Sequence, residues 1–376
     1  MGIEELVCTQ CGARYPGSEA VWRCACGGLL DIEFPLAFDR SKIESRPSSL
    51  WRYRELLPFQ QDDRLLDLGE GFTPLVSVRL GGREVLVKQD QLFPTGSYKD
   101  RGAAVLISKA LALGVRRVVE DSSGNAGCAV AAYCARAGIA CEIYVPADNS
   151  PGKLAQIALY GARLVKVPGS REDTAAAVWQ AAQHTYYASH SWNPYFFQGT
   201  KTWAYEVCEQ LGWRAPDTVV LPAGNGTLLL GAALGFDDLL RLGVIQRVPK
   251  LVAVQSAACA PLAEAFRQGL DAPAAIHKRD TLAEGIAIAE PVRGAQILRA
   301  VRASGGMFLT VEEGEIQPAL ERVLRQGFYI EPTSAAAVAA VERYARSAPE
   351  SEQIVSVFTG HGLKATEKLV KLFHLE

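Results

Sequence analysis

The sequence predicts an α/β chain: two doubly wound domains with parallel sheets, preceded by an N-terminal four-cysteine extension. Three observations carry this. Short β-branched runs alternate with amphipathic helical stretches in two successive sets, the pattern of parallel strands with helices on both sheet faces. Gly-rich turns stand where such runs lead into helices, at 124–127 and 222–227. Four of the nine cysteines are set apart from the rest, in two tight knuckles near the start.

Composition bounds the function. The chain has 376 residues, is 49% hydrophobic and 21% charged, and carries a formal net charge of -2, which is ordinary for a two-domain globular protein. Near-neutral charge and 8% aromatics leave no footprint for nucleic acid. Met1-Gly2-Ile3-Glu4-Glu5 lacks a basic stretch and an apolar core, so no secretory leader is read and a cytoplasmic location is expected. Two uncharged runs, Thr174 to Thr200 and Thr218 to Phe236, are too polar or too broken by Pro and Gly to cross a membrane. Cys128, Cys134, Cys141, Cys208 and Cys259 read as reduced core thiols.

In chain order, the first segment, 1–40, holds Cys8-Thr9-Gln10-Cys11 and Cys24-Ala25-Cys26, with twelve residues between the pairs. Four thiolates on Gly-assisted knuckles suit a closed, structural zinc site. A disulfide pair, or a knuckle that has lost its metal, are the other readings. A connector to about Gln60 leads to the turn-rich Gly69–Leu75 and the strand Val85–Val87. From there a first α/β domain, 41–206, carries the helix after Lys99 and the strand Val118–Glu120. It continues with a helix through Ala137, the strand Glu142–Val145, the helix Lys153–Tyr160, the strand Arg163–Val167 and the helix Thr174–Thr185. A second domain, 207–376, on which N-terminal strands are allowed to pack, has strands at Thr218–Leu221, Leu251–Val254, Gly306–Thr310 and Ile354–Thr359. Its helices are expected at Leu228–Leu234, Ala257–Gln268, Glu313–Gln326 and Ser334–Tyr344.

The chemistry centres on Lys99. It follows the turn Phe93-Pro94-Thr95-Gly96-Ser97-Tyr98 and opens an apolar helical run. There the helix dipole and Arg101 both disfavour a further positive charge, as suits a lysine that must bond an aldehyde. Alone it would read as an ordinary surface lysine. If it holds pyridoxal phosphate, four companions must meet it. Gly224, Asn225, Gly226 and Thr227 form a strand-to-helix turn that can cup a phosphate, or can be a tight connection only. In Asp121–Gly127, Ser122 and Ser123 can hold an amino-acid carboxylate while Asn125 donates to the cofactor's ring hydroxyl; either serine can equally be a helix cap. Thr359, after the last strand, can hydrogen-bond the ring nitrogen without enforcing its protonation, which suits elimination and replacement chemistry. Glu331-Pro332-Thr333-Ser334 starts a helix and is otherwise a simple cap.

Taken together, Phe93–Gly102, Ser122–Gly127, Ala223–Thr227, Glu331–Ala335 and Thr359–Lys364 resemble, in order, the motifs of the threonine synthase branch of fold-type II pyridoxal-phosphate enzymes. The resemblance implies that Lys99 bonds the cofactor and moves protons and that Asn125, Gly224–Thr227 and Thr359 hold it. It implies that Ser122, Ser123 and Ala126 form the substrate-carboxylate loop, with Ser191 and Asn193 binding substrate, and it implies a homodimer. The implied reaction is formation of threonine from O-phosphohomoserine and water. Departures point elsewhere. Phe196 stands where an arginine usually grips the substrate phosphate, and a phenyl ring makes no bidentate charge-assisted bond. Ala126 replaces a common hydroxyl, Lys201 could supply a point charge, and Thr281–Ile286 reads like a dehydratase. The alternative is therefore elimination from, or replacement at, the β-carbon of serine, threonine or an activated serine. A non-catalytic regulatory protein would predict decay of Lys99 or the phosphate loop, and neither has decayed.

Overall fold

The computed structural model describes residues 4–60, 63–149, 151–169 and 171–375. The leader reading falls in part on residues 1–3, outside the described residues. The chain forms two compact units, Met1–Phe72 with Lys99–Thr202 and Thr73–Tyr98 with Trp203–Glu376. It passes from one to the other at 72–73, 98–99 and 202–203. The strands Leu75–Leu80 and Arg83–Lys88 therefore belong to the second unit, although they lie in sequence within the expected first domain. The reason is a non-local pairing: Arg83–Lys88 runs parallel to Ile354–Val357.

The first unit contains a wholly parallel sheet in the order Arg163–Val167, Ala140–Pro146, Arg117–Glu120, Tyr186–Tyr187. The last of these is too short to leave a periodic signal. The helices Lys99–Ala112 and Asn125–Ala137 are buried along most of their length, which explains their runs of Ala, Val and Cys. A small antiparallel sheet, Arg14–Pro16, Glu5–Cys8, Leu30–Glu33, carries the cysteine knuckles.

The second unit is built on a six-stranded sheet in the order Met307–Val311, Lys250–Ser256, Thr218–Pro222, Ile354–Val357, Arg83–Lys88, Leu75–Leu80. All neighbours are parallel except the edge hairpin. Val220, Val252 and Val254 pack with Ala335, Ala336, Ala339 and Ala340 of the helix Pro332–Ser347. The alternating Val219, Leu221 and Ala253 are fully buried as well, so both faces of the central strands are covered. The helix expected over 257–268 begins only at Pro261, whose missing N–H suits the first helical position. Helices Pro194–Thr200 and Thr202–Gln210 were not expected from the sequence; aromatic and Gly content hides their period.

Candidate active site

Each parallel sheet has one point where strand order reverses, and in open α/β sheets ligands sit beyond the carboxyl ends of the strands there. In the first unit that point lies between Arg117–Glu120 and Tyr186–Tyr187. The segments leaving those two strands are Asp121–Gly127 and Ala188–Phe196. In the second unit it lies between Thr218–Pro222 and Ile354–Val357, which lead into Ala223–Thr227 and Phe358–Gly362. The candidate loops thus fall at the reversal point of their own sheet.

Lys99 is the first residue of its helix and half-buried. Its Nζ lies 5.7 Å from the centroid of the Phe196 ring, which is fully buried. Two glycines bring that about. A Cβ on Gly199 would lie 1.9 Å from the Arg101 carbonyl oxygen, and one on Gly102 would lie 2.3 Å from Phe196 Cε1. Helices Lys99–Ala112 and Pro194–Thr200 therefore touch backbone to backbone, and the phenyl ring fills the space a Gly102 side chain would take. Arg101, also fully buried, donates from Nη1 to Thr202 Oγ1 at 3.1 Å. Lys201 is buried with its Nζ 4.8 Å from the Phe34 ring centroid.

In the carboxylate loop, Gly124 and not a serine is the helix N-cap, and Ser122 Oγ accepts from the Gly124 N–H at 3.3 Å. Ser122, Ser123 and Asn125 are half-buried around a helix N-terminus, and Ala126 lies beneath them, buried. Gly127 is required, since its Cβ would sit 1.9 Å from the Ser122 carbonyl oxygen. Ser191 is buried beside Ser189, with hydroxyls 3.3 Å apart. Asn193 has a scaffold role. Fully buried, it caps the Phe196 helix by accepting from the Tyr195 N–H at 3.2 Å and donates to Tyr186 Oη at 2.9 Å and the Tyr187 carbonyl at 3.2 Å. Next to it His190 Nδ1 lies 2.7 Å from Glu120 Oε1, a buried pair the sequence reading missed.

In the second unit, the phosphate-cup candidate is shaped by glycine. Gly226 caps the helix Thr227–Arg241 at φ 67, the left-handed region, with no side-chain cap. A Gly226 Cβ would lie 2.2 Å from Ile297 Cδ1, and one on Gly224 would lie 2.9 Å from Ile286 Cα. A tight backbone turn at the N-terminus of a 15-residue helix presents N–H groups to an anion, so the cradle fits a phosphate. Thr227 Oγ1 lies 2.7 Å from Tyr98 Oη, and the Tyr98 N–H donates to the Thr359 carbonyl at 3.0 Å. The residue immediately before Lys99 is thus tied to both the phosphate cradle and the segment after the last strand. Thr359 is buried and its Oγ1 donates to Glu331 Oε1 at 2.9 Å. Glu331 and Ser334 were singled out in the sequence, but nothing there revealed Thr359 as their partner.

The four N-terminal thiols form a separate cluster. Cys8 and Cys26 Sγ are 3.6 Å apart, as are Cys11 and Cys24, and all four sulfurs lie within 4.8 Å of one another. A disulfide needs about 2.05 Å; a tetrahedral zinc with bonds of about 2.3 Å separates its sulfurs by about 3.8 Å. The Gln10 and Cys11 N–H groups both point at Cys8 Sγ, and a Cβ on Gly28 would lie 2.7 Å from that sulfur. Tyr15 Oη, 3.2 Å from Cys24 Sγ, helps lower the Cys24 thiol to about 6. This donor set fits a structural zinc ion.

Residues 66–360 match the family model described as "Pyridoxal-phosphate dependent enzyme". The threonine synthase of Methanocaldococcus jannaschii is 35% identical over 97% of this chain and 94% of that protein. That of Methanosarcina acetivorans is 34% identical over 97% and 93%. Among solved structures, serine racemase from Dictyostelium discoideum superposes with a TM-score of 0.65 at 26% identity, covering 77% of this chain and 92% of that one.

Proposed function

Because the chain belongs to the pyridoxal-phosphate dependent enzyme family, we propose that it is a threonine synthase, a lyase that converts O-phosphohomoserine and water to threonine and phosphate. The observation that carries this is the match to threonine synthases over nearly the whole chain. When bound, pyridoxal phosphate supplies the electron sink that stabilises negative charge beside an amino-acid nitrogen. Lys99 bonds the cofactor's aldehyde and moves protons at the substrate carbons from its Nζ. Gly224, Asn225, Gly226 and Thr227 hold the phosphate with backbone N–H groups at the helix N-terminus. Ser122, Ser123, Asn125 and the backbone at Ala126 bind the carboxylate and ring hydroxyl, Ser191 borders the substrate, and Thr359 faces the ring nitrogen. Asn193 acts by holding the helix of Phe196 in place. Cys8, Cys11, Cys24 and Cys26 hold a structural zinc ion.

A second reading, elimination from or β-replacement on serine, threonine or an activated serine, is favoured by one observation. Phe196, where a phosphate-gripping arginine is expected, is fully buried against Gly102 and beside Lys99. The discriminating experiment offers O-phosphohomoserine, threonine, serine and O-acetylserine to the holoenzyme. Phosphate release with threonine formation is the expected result; ammonia and keto acid from threonine or serine would replace the first reading by the second. Lys99→Ala should lose turnover and the yellow absorbance together, and turnover retained in that variant would end the assignment. One zinc per chain is expected by metal analysis of unchelated protein. We extend the reading to a homodimer, as the family resemblance implies, and to a cytoplasmic location, as the N-terminal composition suggests; light scattering checks the assembly.

A further inference from the structure

The cysteine extension is anchored along the segment 187–201 of the first unit. Trp22, two residues before Cys24, meets Tyr187 edge to face with ring centroids 5.0 Å apart, Trp179 at 5.3 Å and Trp192 at 6.2 Å. The Arg23 guanidinium stacks beside it, 4.4 Å from the Trp179 ring centroid. Glu4, buried at the start of the extension, accepts from Tyr195 Oη at 3.0 Å and pairs with buried Lys109 of the Lys99 helix. A Cβ on Gly17 would lie 2.3 Å from Glu4 Cδ, so the extension closes directly over that carboxylate. Phe34, one residue past the strand Leu30–Glu33, adds the contact with Lys201 already described.

Ala188–Asn193 makes turns and has no strand or helix of its own, so its shape depends on what it packs against. It carries Ser191 and leads into the helix that puts Phe196 beside Lys99. Tyr187, under Trp22, donates from Oη to Asp121 Oδ1 at 2.7 Å, and Asp121 immediately precedes Ser122. One indole therefore bears on both loops at the reversal point of the first sheet. The extension's strands pair with one another, and its four thiols meet, within residues 5–33, without these aromatic contacts.

We propose that Trp22 is a positioning residue for the substrate site. The four-cysteine knuckle is the rigid mount of its indole, and the indole holds Ala188–Phe196 in the shape that binds the amino acid. This rests on the reading above, in which Ser191 and the Asp121–Gly127 loop border the substrate. It gives the extension a task in substrate affinity and none in taking up the cofactor.

The test is holoenzyme carrying Trp22→Ala, followed by kinetics, metal analysis and hydrogen exchange. Zinc content and cofactor absorbance should match those of the wild type. KM for the amino acid that is turned over should rise about tenfold, equal to about 1.4 kcal/mol, while kcat changes less than about twofold. Peptides covering 188–196 should exchange faster in the variant, with no substrate present. Trp22→Phe, which keeps an aromatic edge, should restore most of the affinity. Arg14→Ala breaks the exposed pairs with Glu5 and Glu33 on the same small sheet and should leave KM unchanged. Should Trp22→Ala not fold, Trp22→Leu is read in the same way. An unchanged KM, a fall in Tm alone, or a loss of zinc or of cofactor absorbance in the variant overturns the inference and leaves the functional reading standing. Failure of the wild-type chain to take up the cofactor would instead overturn the functional reading, and this inference with it.

Discussion

Phe196 shows most clearly how one side chain divides two chemistries. Its ring occupies space left by Gly102, on a helix pressed against the Lys99 helix through Gly199. Phe196→Ala should therefore leave a cavity and cost about 3–5 kcal/mol, read as a lowered denaturation midpoint at constant slope. It should also loosen the surroundings of Lys99, so that substrate KM rises along with the stability loss. The identity of residue 196 was legible in the sequence, and so was its conflict with a phosphate-binding role. Its contact with Gly102 was not, because residues 94 positions apart meet only when two helices cross.

At the scale of an element, the short helix Pro194–Thr200 is held by a cap, and the cap is a residue the sequence reading assigned to substrate. Asn193 directs its side-chain hydrogen bonds to Tyr195, Tyr186 and Tyr187. Asn193→Ala should lower stability by about 1–2 kcal/mol from the lost cap alone, measured as a fall in Tm. Its effect on catalysis should be a change in KM that the helix's displacement explains, with the cofactor still bound. A direct role in binding substrate would instead cut affinity without moving Tm. The helix after Gly226 is the opposite case. A Gly-rich turn between a buried strand and an apolar run announces its own geometry, and the sequence placed both its start and its function candidates there. It underestimated only the length, since the later turns to Arg241 are amphipathic and less apolar.

On the scale of whole folded units, the second unit contains a buried ion pair that no local pattern predicts. Lys88 Nζ lies 2.7 Å from Glu206 Oε2, with both side chains fully buried, and donates also to the Thr73 carbonyl and to Gln210. Removing one partner strands the other charge away from water, so Glu206→Gln should destabilise by about 3–5 kcal/mol, seen in urea titration. A second ionic tie sits at the start of the central strands. Asp217 accepts from the Gln353 N–H at 2.7 Å and pairs with Arg247, and these hold its carboxyl below the usual range, the backbone bond first. A depressed carboxylate contributes stability that is present above its unfolded value and lost as pH falls through the folded one. Stability should therefore fall below about pH 4, and Asp217→Asn should flatten that limb of the curve in acid titrations followed by circular dichroism. No described helix is long and apolar enough to cross a membrane.

By itself the sequence determined the alternation of strands and helices, the lysine, the glycine turns and the cysteine knuckles, because each is written in residues close together along the chain. Periodicity, backbone freedom and ligand spacing are local properties. Tertiary structure alone decided which strands share a sheet, which of the N-terminal strands join the second unit, and that Phe196 stands beside Lys99. Those depend on pairings between distant segments, where burial and hydrogen-bond satisfaction select one partner among many that the chain offers.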